Sequence, residues 1–228
     1  MNNYDEMLKR LRAYRQGLGL KQRQICEAIG MTQEQYSYIE NGFIRITDSH
    51  LRVFHSMGLD LNYLITGKKY NYAAEDFDML LNEFEETQRN FVMKIIAELL
   101  VEKWEHKVFS QDVPKSVIKR MHLLSAVLGL WNSFSMLEFV RNDQSFSQFD
   151  MMKQLGVGIK KYRMLEREEE FPDADILLSL YDISGYPPIM FMDIYDRRLL
   201  AVKAVWVIAK TKYRSDIAGF VKPLKDIL

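Results

Sequence analysis

Apolar residues between positions 8 and 65 recur at helical spacing and fall into five groups separated by turn signals. The groups consist of Leu8, Leu11 and Tyr14; Leu20, Ile25 and Ile29; Tyr36 and Ile39; Leu51, Phe54 and Met57; and Leu61, Leu64 and Ile65. Residues spaced in this way share one face of a helix, which can be buried while the opposite face stays in water. The pattern therefore predicts five short α-helices.

The residues between the second and third groups are typical of a joint between two helices. Gly30 tolerates a positive φ, and the hydroxyl of Thr32 can cap the N–H groups that begin the next helix. Asn41 and Gly42 readily adopt the left-handed conformation that ends a helix, so the third helix has only about eight residues. These signals predict a helix-turn-helix.

The order and spacing of these motifs resemble the Cro/cI type of helix-turn-helix, also called the xenobiotic-response-element family. The resemblance rests on Leu20-Lys21-Gln22, the turn from Ala28 to Gly30, the start of the third helix at Thr32-Gln33, and its end at Ile39-Glu40-Asn41-Gly42. The segment LDLNYLITG at 59–67 is similar to the fifth helix of that family. The resemblance covers about residues 4–67 and implies an N-terminal lambda-repressor-like domain that binds double-stranded DNA.

The resemblance also implies which residues touch DNA. It assigns base-edge contacts in the major groove to the exposed face of the third helix, namely Gln33, Glu34, Ser37 and Tyr38, with Thr32 at its start. It assigns phosphate contacts to Lys21, Gln22, Asn41 and Arg45. Two residues depart from the family pattern, because Lys21 replaces the usual hydroxyl cap and Glu34 faces a polyanion. A solvated polar helix face is the alternative interpretation.

A different pattern begins after the polar segment 68–72 and continues to about residue 109. One stripe, without intervening proline or glycine, contains Phe77, Leu80, Leu81, Phe84, Phe91, Ile95 and Leu99. This stripe predicts one long amphipathic helix of about 50 Å, or two nearly collinear helices. A helix of that length needs the C-terminal half of the chain, or a second subunit, to cover it. Asp112 and Pro114 mark the start of the next helix.

The chain also resembles itself at an offset of 126 positions. The identical pairs are Leu11 and Leu137, Arg15 and Arg141, Gln22 and Gln148, Gly30 and Gly156, Tyr36 and Tyr162, and Glu40 and Glu166. A repeat of this length predicts a second, divergent copy of the five-helix unit. The predicted domains are a helix-turn-helix domain at 1–70, a helical connector at 71–130, the second copy at 131–192 and a C-terminal helical segment at 193–228.

The repeated arginine and glutamate predict two structural ion pairs. In the family that the first copy resembles, an arginine near the end of helix one pairs with the glutamate that ends the third helix. This implies pairs of Arg15 with Glu40 and of Arg141 with Glu166, each partly buried and geometrically specific. A solvated surface pair is the alternative.

The second copy has two possible roles. Its third helix carries Lys160, Lys161 and Arg163, which are basic enough to touch DNA as a second reading head. The loop that follows contains three consecutive carboxylates at 168–170, which would repel phosphates. We favour a structural or dimerising role on this ground, and a second reading head stays open.

The chain has no net charge, but the charge is unevenly distributed. Residues 1–70 carry a net charge of +3, residues 71–136 of −3 and residues 193–228 of +4. The C-terminal segment is predicted to form an amphipathic helix through Val202, Val205 and Trp206. Its basic residues are expected to meet the acidic middle segment rather than DNA.

Little in the sequence suggests chemistry. The four histidines and the single cysteine, Cys26, lack the spacing of a metal site, so neither a metal nor a cofactor is expected. No acid/base pair or nucleophile argues for an enzyme. No secretory signal and no bilayer-spanning apolar run is visible, so we expect a cytoplasmic protein without membrane contacts.

The sequence therefore predicts an all-α, sequence-specific transcriptional regulator that binds DNA as a homodimer on two half-sites. Repression is the more frequent outcome in the family that it resembles. Two units in one chain also permit a pseudo-dimer that binds as a monomer. The alternative function is a helical protein-interaction adaptor or antitoxin-like protein, with a protein or peptide partner bound through the C-terminal half and DNA binding secondary.

Overall fold

The computed structural model describes residues 3–105 and 114–228, and all the regular secondary structure in this part is helical. The helices are α1 (Asn3–Gly17), α2 (Gln22–Ile29), α3 (Gln33–Glu40), α4 (Asp48–Ser56), α5 (Leu61–Thr66), α6 (Glu75–Asn82), α7 (Glu86–Glu105), α8 (Lys115–Gly129), α9 (Met136–Asp143), α10 (Gln148–Leu155), α11 (Ile159–Glu166), α12 (Ala174–Ser184), the 3₁₀ helix η1 (Pro188–Phe191), α13 (Arg197–Trp206), α14 (Thr211–Val221) and the 3₁₀ helix η2 (Lys222–Asp226). The predicted all-α fold is confirmed.

The chain forms two compact lobes that its sequence order does not separate. Lobe 1 contains the residues up to 70 together with 135–194, and lobe 2 contains 71–134 together with 195–228. Folding joins the first predicted segment with the third, and the second with the fourth.

The first part of lobe 1, residues 3–67, is here called the N-terminal subdomain. Its helices α1 to α5 enclose fully buried apolar side chains, namely Met7, Leu11, Ile25, Tyr36, Ile39, Leu51, Phe54, Leu64 and Ile65. Cys26 is buried beside them on α2. All but Met7 of these nine core residues belong to the five groups from which the helices are predicted.

The rest of lobe 1, residues 135–192, is here called the second subdomain. It has four α-helices, α9 to α12, and the 3₁₀ helix η1 where a fifth α-helix is predicted. The prediction of an α-helix is wrong for this last element, which forms a 3₁₀ helix of four residues that begins at Pro188. The subdomain begins at Ser135, whose hydroxyl caps α9 by accepting a hydrogen bond from the backbone N–H of Glu138.

The sequence predicts one long helix or two nearly collinear helices, and lobe 2 has two helices, α6 and α7, separated by residues 83–85. The side chain of Gln88 caps the new helix by accepting a hydrogen bond of 3.0 Å from the backbone N–H of Glu85. The break changes the helical phase, so α7 buries Val92, Ile96 and Leu100 while Phe91 is 52% exposed. The predicted stripe is correct as far as Phe84 and wrong beyond it. The predicted helix end near 109 and the cap at Asp112 lie outside the described residues.

The basic C-terminal segment pairs with the acidic middle segment within lobe 2. The ion pairs join Lys203 to Asp78 at 2.6 Å, Arg214 to Asp76 at 2.7 Å and Lys222 to Glu83 at 2.9 Å. Trp206 is buried beside them, and its indole N–H donates a hydrogen bond of 3.1 Å to Asp76. The predicted contact between these two segments is confirmed.

Candidate nucleic-acid interface

The joint between α2 and α3 is fixed by backbone and side-chain hydrogen bonds. Gly30 has φ 68° and ψ 29°, and its N–H donates to the carbonyl oxygen of Cys26. The hydroxyl of Thr32 accepts a hydrogen bond from the N–H of Gln35 at 3.2 Å, and the Gln35 side chain accepts one from the N–H of Thr32 at 3.0 Å. The turn is therefore fixed by a backbone hydrogen bond at the end of α2 and by a side-chain capping box at the start of α3.

Helix α3 has one buried face and one exposed face. Tyr36, Ile39 and Glu40 point into the subdomain and are at most 2% exposed. The opposite face carries Gln33, Glu34 and Tyr38, which are exposed, and Ser37, which is half-buried. The Tyr38 hydroxyl donates a hydrogen bond of 2.8 Å to Glu34 Oε1, and this bond raises the pKa of Tyr38. The four predicted base-reading residues therefore lie together on one polar surface.

Glu40 lies at the centre of a buried polar cluster behind this surface. Its carboxylate accepts hydrogen bonds from Arg15 Nε at 2.7 Å and Nη2 at 3.2 Å, and from Gln22 Nε2 at 2.8 Å. Burial opposes ionisation of Glu40, but these donors outweigh it and lower its pKa. Arg15 also donates to the carbonyl oxygen of Leu20 at 2.9 Å, so the cluster ties α1, α2 and α3 together.

Residues 11–52 match the protein-family model described as Helix-turn-helix. This segment is a Cro/cI-type helix-turn-helix. The match begins within α1 and ends within α4, and it contains the α2–α3 joint and the Arg15–Glu40 pair. Comparisons of the chain with curated proteins and with solved structures find no match. A helix-turn-helix of this type supports a DNA-binding regulator.

The predicted phosphate-binding residues of the Cro/cI-type motif occupy two different environments. Lys21 and Arg45 are exposed, and the Arg45 guanidinium lies 4.5 Å from the centre of the Tyr4 ring. Gln22 and Asn41 already have partners, because Gln22 donates to Glu40 and the amide nitrogen of Asn41 donates to the carbonyl oxygen of Ser37 at 2.8 Å. Of these four predicted residues, Lys21 and Arg45 are therefore the two with exposed cationic side chains.

Two residues at this surface were missed by the sequence interpretation. Arg12 donates from Nε to the carbonyl oxygen of Glu40 at 3.0 Å and from Nη2 to Asn41 Oδ1 at 3.2 Å, which anchors the end of α3. Phe43 is 78% exposed, and its ring meets that of Tyr38 edge-on with 5.9 Å between the ring centres. The only sequence signal for Phe43 is a large aromatic residue directly after the Asn41-Gly42 turn.

The second subdomain repeats the arginine and glutamine contacts of the Glu40 cluster 126 positions later and adds one from a tyrosine hydroxyl. Arg141 Nε donates to Glu166 at 2.7 Å and Gln148 Nε2 donates to it at 2.5 Å. The hydroxyl of Tyr162 donates to Glu166 at 2.8 Å, and Gly156 has φ 64° and ψ 29°, close to the angles of Gly30. The family match does not extend to these residues.

The three basic residues of α11 are not equivalent. Lys161 is half-buried and pairs with Asp173 at 3.0 Å, and this hydrogen bond raises the pKa of Lys161. Lys160 and Arg163 are exposed. Only the last two are therefore placed to meet a phosphate or a base.

Among residues 3–105 and 114–228, no group of three or more His, Cys, Asp or Glu side chains is arranged to hold a metal ion. The helices in these ranges include none whose length and apolarity would suffice to cross a membrane.

Proposed function

We propose that the chain is a sequence-specific transcriptional regulator that inserts α3 of its Cro/cI-type helix-turn-helix into the major groove of DNA. The observation that carries this proposal is the arrangement of α3, whose inner face is fully buried while Gln33, Glu34 and Tyr38 project outward together. A helix that is held rigidly and presents polar side chains in this way can read base edges.

Each outward residue has a chemistry that suits a base edge. Gln33 carries an amide that can bond to adenine through two atoms, and Tyr38 offers a ring face for a thymine methyl group. The free oxygen of Glu34 can accept a hydrogen bond from the amino group of cytosine, because its other oxygen holds Tyr38. Ser37 and Thr32 have hydroxyl groups for contacts at the two ends of this surface.

Cations beside α3 supply the attraction to the phosphates. The outward face of α3 has no cation of its own among the residues named above, so Lys21 and Arg45 fix the register of the protein on the duplex. We assign Gln22 and Asn41 to positioning the ends of α2 and α3, because their amides already serve Glu40 and Ser37. Regulation then takes the form of repression through occupation of a promoter site.

Selection of bound duplexes from a random DNA library tests this proposal. We compare the full chain with the variant Gln33→Ala/Tyr38→Ala and with the control Gln154→Ala/Tyr195→Ala, which removes the same residue types from other exposed positions. The parent and the control are expected to enrich one motif, and the α3 variant to bind it about 10- to 100-fold more weakly. A motif bound equally well by all three proteins, or no enriched motif, would contradict the proposal.

A further inference from the structure

We infer that the chain occupies its DNA site as a single molecule, with the second subdomain contacting the adjacent half-site through Lys160 and Arg163. The inference rests on the proposed function and extends it to a second surface and to a particular kind of operator. It replaces the homodimer expected from the sequence with two unlike halves of one chain.

The first support is the internal geometry of the two subdomains. The hydrogen bonds of Arg15 and Gln22 to Glu40 recur as those of Arg141 and Gln148 to Glu166. The glycine between the second and third helices has the same left-handed conformation in both. The arginine and glutamine contacts that hold the end of α3 therefore also hold the end of α11, although Gly158 gives α11 no side-chain cap of the kind that Thr32 gives α3.

The second support is the way in which the subdomains pair inside lobe 1. The N–H of Ala174 donates to the carbonyl oxygen of Ile46 at 3.0 Å, and the N–H of Asp48 donates to Asp173 Oδ1 at 3.1 Å. Ala174 is the counterpart of Asp48 at the offset of 126. The start of α4 thus bonds to the loop before α12, and the start of α12 bonds to the loop before α4.

Contacts farther from this point are also reciprocal. Arg52 on α4 pairs with Asp193, two residues beyond η1, and Lys68, two residues beyond α5, donates to the hydroxyl of Tyr181 on α12 at 2.6 Å. The fourth helix of each subdomain, α4 or α12, therefore contacts a residue just beyond the fifth helix of the other subdomain. Reciprocity of this kind is the mark of a two-fold, self-complementary interface.

The fifth helices lie between these contacts. Asn62 on α5 is only 6% exposed, and its side-chain oxygen accepts a hydrogen bond of 3.0 Å from the N–H of Ile189 in η1. A two-fold interface is closed, so a further chain cannot add at the same surface. The surface that would join two chains is thus already occupied within one chain.

The exposed charges of the two third helices are complementary in function. The outward face of α3 carries the carboxylate of Glu34 and no cation among its named residues, whereas α11 exposes Lys160 and Arg163. One of the three carboxylates after α11 is partly compensated, because Glu169 lies 3.8 Å from Arg167. Helix α11 therefore contributes the attraction to the polyanion that α3 lacks.

Different third helices require different half-sites. In regulators with two identical chains the operator mirrors the protein symmetry, and the half-sites lie about one helical turn apart. The outward side chains of the two third helices differ in chemistry. Helix α3 offers an amide, a carboxylate and a phenol at Gln33, Glu34 and Tyr38, whereas α11 offers an apolar side chain and two cations at Ile159, Lys160 and Arg163. The operator of this chain is accordingly asymmetric, with a base-reading half under α3 and a half under α11 that Arg163 can specify through guanine.

The test combines selection of bound duplexes with the mass of the complex in solution. The full chain, Lys160→Ala/Arg163→Ala and Gln33→Ala/Tyr38→Ala are compared with Lys212→Ala/Lys225→Ala, which removes two exposed cations from lobe 2. The parent is expected to enrich two unlike half-sites and to bind with one chain per duplex. Loss of the α11 cations should erase one half of the motif and reduce the slope of log K against log salt by about 2. The lobe 2 control should change neither.

Two results would overturn the inference while leaving the proposed function intact. One is a palindromic motif bound by two chains per duplex. The other is that Lys160→Ala/Arg163→Ala enriches the same motif as the parent and shows the same slope of log K against log salt, while Gln33→Ala/Tyr38→Ala abolishes binding. Absence of any enriched motif for the parent overturns the proposed function and the inference together.

Discussion

Replacing one member of the buried Arg15–Glu40 pair is expected to destabilise lobe 1 strongly. The Glu40 side chain is 3% exposed and that of Arg15 is 12% exposed, so either charge is nearly removed from water when its partner is lost. Breaking a buried pair in this way costs about 3–5 kcal/mol. We expect Arg15→Met and Glu40→Leu each to lower the free energy of unfolding by about this amount. The double variant should lose less than the sum, because no buried charge is left unpaired.

The assay needs a signal that reports on lobe 1. The three tryptophans of the chain, at 104, 131 and 206, all belong to lobe 2, so tryptophan fluorescence follows the wrong lobe. Urea unfolding followed by far-ultraviolet circular dichroism reports on the helices of both lobes, and the two signals together separate the transitions. We expect the single variants to shift the dichroism transition more than the fluorescence transition. The reasoning would be refuted if each single variant lost less than about 1 kcal/mol of unfolding free energy at an unchanged m-value. It would also be refuted if the loss in the double variant equalled the sum of the two single losses.

Three further predictions concern other parts of the fold. The free energy of unfolding of the parent should decline relative to that of Glu40→Gln as the pH falls below about 4. The lowered pKa of Glu40 stabilises the folded protein in full above the ordinary pKa of glutamate, and this stabilisation is lost as the carboxylate becomes protonated. A difference between the two unfolding free energies that stays constant with pH would contradict this. Gly30→Ala should cost about 1–2 kcal/mol through its φ of 68° alone, since the added Cβ meets no atom within 4 Å, and Gly17→Ala, in open space at the last residue of α1 and without a positive φ, is the control that should lose no stability in the same thermal melts. Val92→Ala should cost about 2 kcal/mol in urea unfolding and Phe91→Ala much less, whereas the reverse order would restore the predicted uninterrupted stripe.

The local signals of the N-terminal subdomain were sufficient to predict its helices and its family. Gly30, Thr32 and the Asn41-Gly42 turn act on the backbone within one or two turns of their own position, so their effect is visible in the sequence. The exposed position of Gln33 and Tyr38 follows from the same helical period that buries Tyr36 and Ile39.

Other features of the site depended on contacts between distant residues. The sequence could not show that the amide of Gln22 donates to Glu40, 18 positions away, because Gln22 was assigned to phosphates by resemblance alone. It also could not show that Lys161 forms an ion pair with Asp173 while Lys160, one residue away, is exposed. Each of these outcomes depends on which side chain happens to lie opposite, and helical spacing carries no information about that.

The sequence by itself determined the helical class and the helix-turn-helix in the N-terminal part of the chain, since both depend on short-range spacing. Only the tertiary structure decided the phase of α7 beyond Phe84, the replacement of a fifth α-helix by η1, and the joining of residues up to 70 with 135–194 in one lobe. The physical reason is that an apolar stripe fixes which face of a helix must be covered. The partner that covers it is selected by packing among residues more than a hundred positions apart, as the hydrogen bonds of Ala174 to Ile46 and of Ile189 to Asn62 illustrate.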